Sequence, residues 1–315
     1  MLPLLKLLED GRFHSGEALG RSLGISRSAV WKQLQRLEEL GVVLHKVRGR
    51  GYCLAQPLSL LDIESISVAV PDWEVRVLMD VDSTNAEAMR ITNPEGRPVL
   101  VLAERQLAGR GRRGRKWVSP FGENLYYSVA LPITGGARQL EGLSLVVGLA
   151  VHHALRVMGV EGALKWPNDL LVHEKKIAGI LLELVGDPAD LCRVVIGIGI
   201  NVNMLASAEQ IDQPWISMRE VLGKGVDRTT LTITLTHTLQ NFLGRLRDEG
   251  FPALQGLWEQ HHAWHGRKVT LTSGTRHYEG VIVGIDEQGA LRLETSQGVM
   301  HYSSGELSLR LRDDS

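Results

Sequence analysis

Apolar positions recur at helical spacing over the first forty residues, then switch to alternation and to continuous runs. Leu4, Leu5, Leu7 and Leu8 predict a short helix that stops near Gly11. In SGEALGRSLG, Leu19 and Leu23 share a face, Ser15 stands where an N-cap belongs, and Gly24 stands where a helix ends. In SRSAVWKQLQRLEELG, Val30, Leu34, Leu37 and Leu40 form one stripe and Ser26 is placed to cap. Two short helices joined by a tight Gly-containing turn make a helix-turn-helix pattern. VVLHKVRGRGYCL follows and predicts a β-hairpin wing around RGRG. QPLSLLD, 56–62, breaks the pattern at Pro57 and reads as a linker.

From about residue 63 the pattern becomes α/β. WEVRVLMD (73–80), VLVLAERQ (99–106) and NLYYSVALP (124–132) predict strands. DSTNAEAMR (82–90) predicts a helix start that Asp82, Ser83 or Thr84 could cap. Residues 138–159 are apolar on nearly every face and predict a buried helix. Residues 162–185 predict two antiparallel strands around HEKK, and LCRVVIGIGINVN (191–203) a third strand rich in β-branched residues. Gly179, Gly197 and Gly199 interrupt these strands, which suggests that a ligand or another backbone approaches closely. Helices are predicted over 228–246 and 252–261. KVTLTS, YEGVIVGIDE, ALRLET, VMHYSS and LSLRLR then predict a small β-barrel. The fold class is therefore α+β, with expected domains at 1–60, 63–265 and 266–315.

Composition narrows the function. The chain has 315 residues, 43% apolar and 23% charged, with a net charge of −1, so no global field recruits nucleic acid or a membrane. The first sixty residues, however, carry nine Lys or Arg against five Asp or Glu, a local excess of +4. That sign fits DNA. In a winged helix the second helix of the motif enters the major groove. Ser26, Arg27, Ser28, Lys32, Gln33 and Arg36 are the candidate DNA contacts there, and Lys46, Arg48 and Arg50 would carry the wing to phosphates. A winged helix used only for packing or protein contact is the alternative. Trp31 is expected to pack against the wing or the next domain. Cys53 and Cys192 make no disulfide framework, and no zinc spacing is visible, so no metal-ligating residue is assigned. MLPLLKLLEDG lacks the features of a signal peptide, and no run reaches membrane length, so a cytoplasmic location without a membrane partner is expected.

The stretch GRGRRGRKW, 109–117, places five cations in nine positions among Gly109, Gly111 and Gly114. The cations repel unless an anion lies among them. A solvated loop, a phosphate-binding loop and a disordered Arg-Gly segment all fit, but apolar strands on both sides weigh against disorder. Lys176 enters an apolar strand after a polar turn. Alone it reads as a solvated strand end; beside Lys165 and the basic loop it reads as part of an anion clamp. His152 and His153 adjoin in the buried helix and read as packing or surface residues.

DSTN at 82–85, ERQLAGRGRRGRKW at 104–117, KWPNDL at 165–170, KKIAGILLEL at 175–184 and GIGIN at 197–201 are similar, in order, to the blocks of the biotin–protein ligases. With the winged helix, the resemblance covers essentially the whole chain and points to the bifunctional branch that also represses transcription. It implies a central mixed-sheet domain of class II synthetase type and an SH3-like C-terminal barrel. It also implies ATP-dependent formation of biotinyl-5′-AMP with Mg²⁺, and transfer of biotin to one lysine of the biotin carboxyl carrier protein of acetyl-CoA carboxylase. Biotinyl-5′-AMP would be the corepressor on operator DNA, and a ligand-induced homodimer, formed by strands around 183–196, would bind paired half-sites. Carried over by position, Lys176, Arg112 and Arg110 are catalytic. Ser83, Thr84, Asn85, Gln106, Gly109, Arg110, Gly111, Arg112, Lys176 and Gly179 bind biotin. Arg112, Arg115, Trp117, Lys165, Asn168, Asp169, Lys176 and Asn201 bind the nucleotide. SSGEL at 303–307 departs from the family's glycine-pair turn, so the ATP contact of that turn is not carried over. A ligand-sensing repressor without effective transfer, a lipoate-type ligase, and a winged helix kept only to regulate the enzyme are the competing functions.

Overall fold

The computed structural model describes residues 2–91, 96–133, 140–186, 192–205, 211–305 and 307–312. The N-terminal segment folds as predicted into α1 (Leu2–Leu8), α2 (Gly16–Leu23), α3 (Arg27–Glu39) and a hairpin of β1 (Leu44–Val47) and β2 (Gly51–Leu54). Ser15 and Ser26 cap α2 and α3 by accepting from the backbone N–H of Ala18 and Ala29, and Gly24 is left-handed. Leu4, Leu5, Leu8, Leu19, Val30, Leu34 and Leu37 are buried together. Trp31 departs from its expected packing: it is 50% exposed on α3, because the apolar stripe of that helix runs through Val30, Leu34 and Leu37.

The segment expected as a plain linker is strapped to the next domain. The backbone N–H of Leu61 donates to Glu104 Oε1 at 2.8 Å, and Arg228 Nε donates to the Ser59 carbonyl at 2.7 Å. Arg228 and Glu104 are themselves a fully buried ion pair. Phe121 leaves the central domain and packs into the winged-helix core, with Leu58, Leu60 and Met79 against the same cluster. The end of one module is thereby the lid of the other's core.

Among the described residues the central sheet has seven strands. They are β3 (Glu74–Val81), β4 (Val99–Gln106), β5 (Leu125–Ile133), β6 (Ala163–Lys165), β7 (Asp169–Val172), β8 (Lys175–Gly186) and β9 (Cys192–Ile200), in the order β3-β4-β5-β9-β8-β7-β6. β3 and β4 run parallel and the other neighbours antiparallel, so the sheet is mixed. Residues 162–185 hold three strands rather than the expected two, because the chain reverses at 166–168 as well as at His173 and Glu174. Those last two residues have φ of 50° and 60°, the pair of left-handed residues that a two-residue hairpin turn needs.

Among the described residues five helices contribute to this core: α4 (Ile63–Ala69), α6 (Leu143–Val157), α7 (Met218–Leu222), α8 (Arg228–Glu249) and α9 (Pro252–Gln260). The short α5 (Thr84–Arg90) buries Ala88 in a smaller cluster with Val99, Val101 and Ala130. α6 is buried from Leu143 to Leu155 on nearly every side, as its composition predicts. β10 (Lys268–Ser273), β11 (Arg276–Ile285), β12 (Leu291–Thr295), β13 (Gly298–Tyr302) and β14 (Leu307–Leu311) form an antiparallel sheet in the order β13-β12-β11-β10-β14. Its inner residues Val269, Leu271, Ile282, Leu291 and Leu293 join the same apolar cluster as α6 and α8.

Candidate active site

One face of the central sheet is stripped of side chains. Gly179 lies opposite Gly199 in register, and Gly197 is two residues before it on the same face. A Cβ on Gly197 would stand 2.2 Å from Asn85 Oδ1, and one on Gly199 would stand 2.5 Å from Trp117 Cε2. A Cβ on Gly179 would come within 3.1 Å of Lys176 Cε and 3.3 Å of Trp117 Cζ3. The close approach expected at these glycines is therefore made by the protein's own side chains. Asn85 and Trp117 lie flat on a smooth floor and shape a cavity of about 860 Å³ above it.

The start of α5 supplies one end of the cavity. Ser83 stands in the N-cap position but makes no side-chain cap. Gln106, at the end of β4, does the capping instead: its Oε1 accepts from Thr84 N at 2.9 Å and from Thr84 Oγ1 at 3.1 Å. Its Nε2 donates to Ser119 Oγ at 3.0 Å. Ser128, on β5, donates to Asn85 Oδ1 at 2.6 Å and lies 2.7 Å from Thr84 Oγ1. Ser83, Thr84, Asn85 and Ser128 are buried. This end is a fixed row of neutral donors and acceptors, suited to a small polar uncharged group.

The other end is cationic. Lys176 Nζ lies 2.6 Å from Asp169 Oδ1 and 5.6 Å from the centre of the Trp117 ring. Its backbone is pinned, since its N–H donates to the Pro214 carbonyl and its carbonyl accepts from Ile216, both at 3.0 Å. Lys165 lies 3.9 Å from Asp169 Oδ2 and sits over the Trp264 ring at 4.6 Å. Burial pushes its ammonium below the usual lysine range, and Asp169 partly restores it. An anion arriving here meets ammonium groups that water screens poorly. Asn168 accepts from Arg112 at 3.0 Å through Oδ1 and donates to the Ile180 carbonyl at 2.7 Å. Asn201 is buried and donates to the carbonyls of Lys176 and Ile216, each at 3.3 Å, so it braces the lysine's strand.

The basic loop folds as a small hairpin over the floor. Arg110 bridges to Lys116, and the N–H of Trp117 donates to the Gly109 carbonyl at 2.9 Å. Of its glycines, Gly114 is left-handed at φ 70° and Gly109 is wedged, since a Cβ there would lie 2.6 Å from the Trp117 carbonyl oxygen. Gly111 has room for a Cβ. Arg112 reaches past Asn168 to the carbonyls of Ser304 and Gly305, joining the loop to the C-terminal sheet. Burial lowers the pKa of its guanidinium, a group that stays charged throughout the working range of a protein. Arg113, Arg115 and Lys116 are exposed.

Of the residues expected from sequence to bind biotin or nucleotide, all but Gly109 line the cavity. Gly109 packs behind the loop against Ser119 and Gln106. The cavity also takes in Trp215, Trp264, Arg267 and Arg310, which sequence reasoning did not assign. Ser128 and Glu183 were likewise unassigned, although each is the lone polar residue in an apolar strand run, and that is a readable signal. His152 is buried in α6 against the Gly162 carbonyl at 3.0 Å, a packing role as expected. Among the described residues no group of three or more His, Cys, Asp or Glu converges to hold a metal ion.

On the winged helix, Ser26, Arg27, Ser28, Lys32, Arg36, Lys46, Arg48 and Arg50 are exposed and Gln33 is half-buried. Four of them are already engaged: Ser26 in its cap, Ser28 with the Ser26 hydroxyl at 2.9 Å, Lys46 with Glu38 at 2.7 Å, and Arg50 over the Phe13 ring at 4.4 Å.

Comparison with known proteins agrees with this arrangement. The biotin/lipoate A/B protein ligase family matches residues 77–201, an HTH domain residues 2–53, and the biotin protein ligase C-terminal domain residues 265–310. The bifunctional ligase/repressor BirA of Escherichia coli is 41% identical over 98% of this chain and 97% of its own length. The biotin–[acetyl-CoA-carboxylase] ligase of Paracoccus denitrificans is 35% identical over 70% of this chain and 95% of its own. Among solved structures, the biotin protein ligase of Aquifex aeolicus in complex with biotin and ATP is 31% identical at a TM-score of 0.67, covering 76% of this chain and 99% of that one. Likeness at this level, along nearly the full length, means that the chain belongs to the biotin–protein ligase family, in the branch that carries an N-terminal helix-turn-helix domain.

Proposed function

We propose that the protein is an ATP-dependent biotin–protein ligase that forms biotinyl-5′-AMP, transfers biotin to a lysine of a biotin carboxyl carrier protein, and also represses transcription. The observation that carries the reading is one chamber with two opposite ends, a neutral hydrogen-bonding row at Thr84, Asn85 and Gln106 and a cationic mouth at Lys165, Lys176 and Arg112. Biotin is built the same way, with a neutral ureido ring and a carboxylate. The ring takes the row, and the acid faces Lys176. Trp117 offers a plane for adenine, and Arg112, Arg115 and Lys165 face the phosphates.

In the first step a carboxylate oxygen of biotin attacks the α-phosphorus of ATP. The bond from that phosphorus to the bridging oxygen breaks, and pyrophosphate leaves with the electron pair. Two anions must be brought together, so fixed cations that stabilise charge at the α-phosphorus matter most, and positioning does the rest. Asp169 holds the Lys176 ammonium at the spot where both anions meet. In the second step the neutral amine of the carrier lysine attacks the acyl carbon, AMP departs, and the amine proton passes to solvent. The loop over the cavity keeps water from the mixed anhydride.

Mg²⁺ fits as a companion of the polyphosphate. Asp169 is a carboxylate in the cationic mouth, and one carboxylate with phosphate oxygens is a donor set this ion accepts. It would neutralise phosphate charge.

The winged helix would read operator DNA through α3 and its wing. A dimer fits the sheet at β8, which is paired only as far as Gly179 on the β7 side among the described residues. Residues 192–196 of β9 are paired on both sides and offer no edge; 187–191 lie outside the described residues. No helix of the described residues is long and apolar enough to cross a membrane. Domain boundaries at 1–60, 63–265 and 266–315 suit this division of labour.

The decisive experiment is incubation with biotin, ATP, Mg²⁺ and an apo carrier domain. A carrier gain of one biotin supports the ligase. Gain with lipoate and not biotin, or no biotin-dependent ATP–pyrophosphate exchange, refutes it. A biotin- and ATP-dependent shift of upstream DNA, with doubling of mass in sedimentation, tests repression and the dimer.

A further inference from the structure

One charged side chain outside the assigned set joins two parts of the chamber. We propose that Glu183 is a positioning residue that fastens the cationic loop over the biotin floor; the inference rests on the ligase reading above. Glu183 is the lone charge in ILLELV on β8. Its Oε2 accepts from Asn85 Nδ2 at 2.8 Å, and Arg110 Nη2 lies 3.2 Å from both of its carboxylate oxygens. Asn85 is buried on Gly197 and held from behind by Ser128 at 2.6 Å. One carboxylate is thus tied to the rigid floor on one side and to the lid on the other.

The tie reaches the whole loop. Arg110 is bridged to Lys116, and Gly109 is wedged against the Trp117 carbonyl, so a fixed Arg110 fixes the hairpin that carries Arg112 and presents Trp117. Charge adds direction. A guanidinium shared by both oxygens of Glu183 is already neutralised, and a second carboxylate approaching it meets repulsion. The acid of the substrate is therefore turned away from Arg110 toward Lys176, where the α-phosphorus must also lie.

Glu183→Gln keeps an oxygen that accepts from Asn85 and removes the charge that holds Arg110. Trypsin reads the loop without any ligand, because Arg110, Arg112, Arg113, Arg115 and Lys116 are all its sites. Loop cleavage of the folded variant is expected to be about three- to tenfold faster than in the parent, the scale of a partly exposed charge-assisted bond. Release of preformed biotinyl-adenylate should quicken, and the KM for biotin should rise, by a similar factor, with kcat for ATP–pyrophosphate exchange within about twofold. Arg110→Gln should loosen the loop to the same extent, read from cleavage at Arg112, Arg113, Arg115 and Lys116, and in the double variant those sites should be cut no faster than in either single one. Equal tryptic rates, additive effects, or a lowered kcat with an undisturbed loop would each overturn the proposal. No biotin-dependent exchange by the parent protein sinks the ligase reading instead, while the tryptic comparison still decides whether this carboxylate fastens the loop.

Discussion

Two turns of this protein look alike in sequence and behave differently in space. The wing turn Arg48-Gly49-Arg50-Gly51 and the loop from Gly109 to Lys116 both alternate arginine with glycine. The wing is convex: Arg48 and Arg50 are exposed, and the Arg50 guanidinium lies over the face of Phe13. The loop is folded over a concavity, where Arg110 meets Glu183 and Arg112 meets Asn168 and two backbone carbonyls. A convex cationic turn suits a large anionic surface that arrives from outside. A cationic turn closed over a cavity suits a small anion held within. The meaning of an Arg-Gly run is set by what stands opposite it, which strand order decides.

The contrast can be broken most strongly at the cationic mouth. Lys176→Ala should lower biotin-dependent ATP–pyrophosphate exchange by about 10²–10³-fold, the usual cost of one preorganised charge at a transition state, while leaving the DNA domain folded. A fall of less than tenfold would remove the lysine from the centre of the reaction. Next come the glycines. Gly109→Ala and Gly51→Ala should each destabilise the chain by roughly 1–3 kcal/mol in urea titrations, since the new Cβ overlaps backbone: at Gly51 it would lie 2.0 Å from the His14 carbonyl oxygen. Gly111→Ala should stay within about 0.5 kcal/mol, and a large effect there would show that the loop's backbone is more constrained than its packing indicates.

A smaller effect separates the two turns by salt. Replacing Arg48 and Arg50 by Ala should reduce the slope of log DNA affinity against log salt by about 2 and leave carrier biotinylation unchanged. Loss of biotinylation in that variant would erase the distinction. The mildest test uses acid, which should touch both activities alike. Burial pushes the His262 imidazole down to about 3 and that of His152 to about 4, from 6.5. The unfolded chain then binds more protons between those values, so stability is full above pH 6.5 and declines as the pH falls toward 4 and 3. Urea midpoints at pH 7, 5.5 and 4 should fall in that order, and His262→Gln should flatten the series. A flat parent series would mean that neither histidine is buried in its neutral form.

Much of this was legible because local patterns agreed with the tertiary structure. The caps at Ser15 and Ser26 and the strand 99–106 follow from rules that act within a few residues. The cationic loop and Lys176 were visible because charges inside apolar surroundings need a reason. The rest was set by long-range pairing. Three strands, rather than two, lie within 162–185 because Ala163–Lys165 finds a partner in Asp169–Val172, a register that no window of hydrophobicity reports. Trp264 and Arg310 reach the cavity only because the C-terminal sheet docks on the ligase core. Trp31 stays outside because its neighbours fill the stripe first.

The strap at residues 58–61 bears on how the enzyme half can be isolated. Arg228 and Glu104 are sealed from solvent, and part of what satisfies them is the Ser59 carbonyl and the Leu61 amide. A fragment cut after Leu61 would strip an acceptor from that guanidinium and unroof Phe121 and Met79. It would be a damaged protein, not a minimal one. A faithful excision has to begin before Leu58, keep the strap, and replace the apolar cover that the first three helices supply.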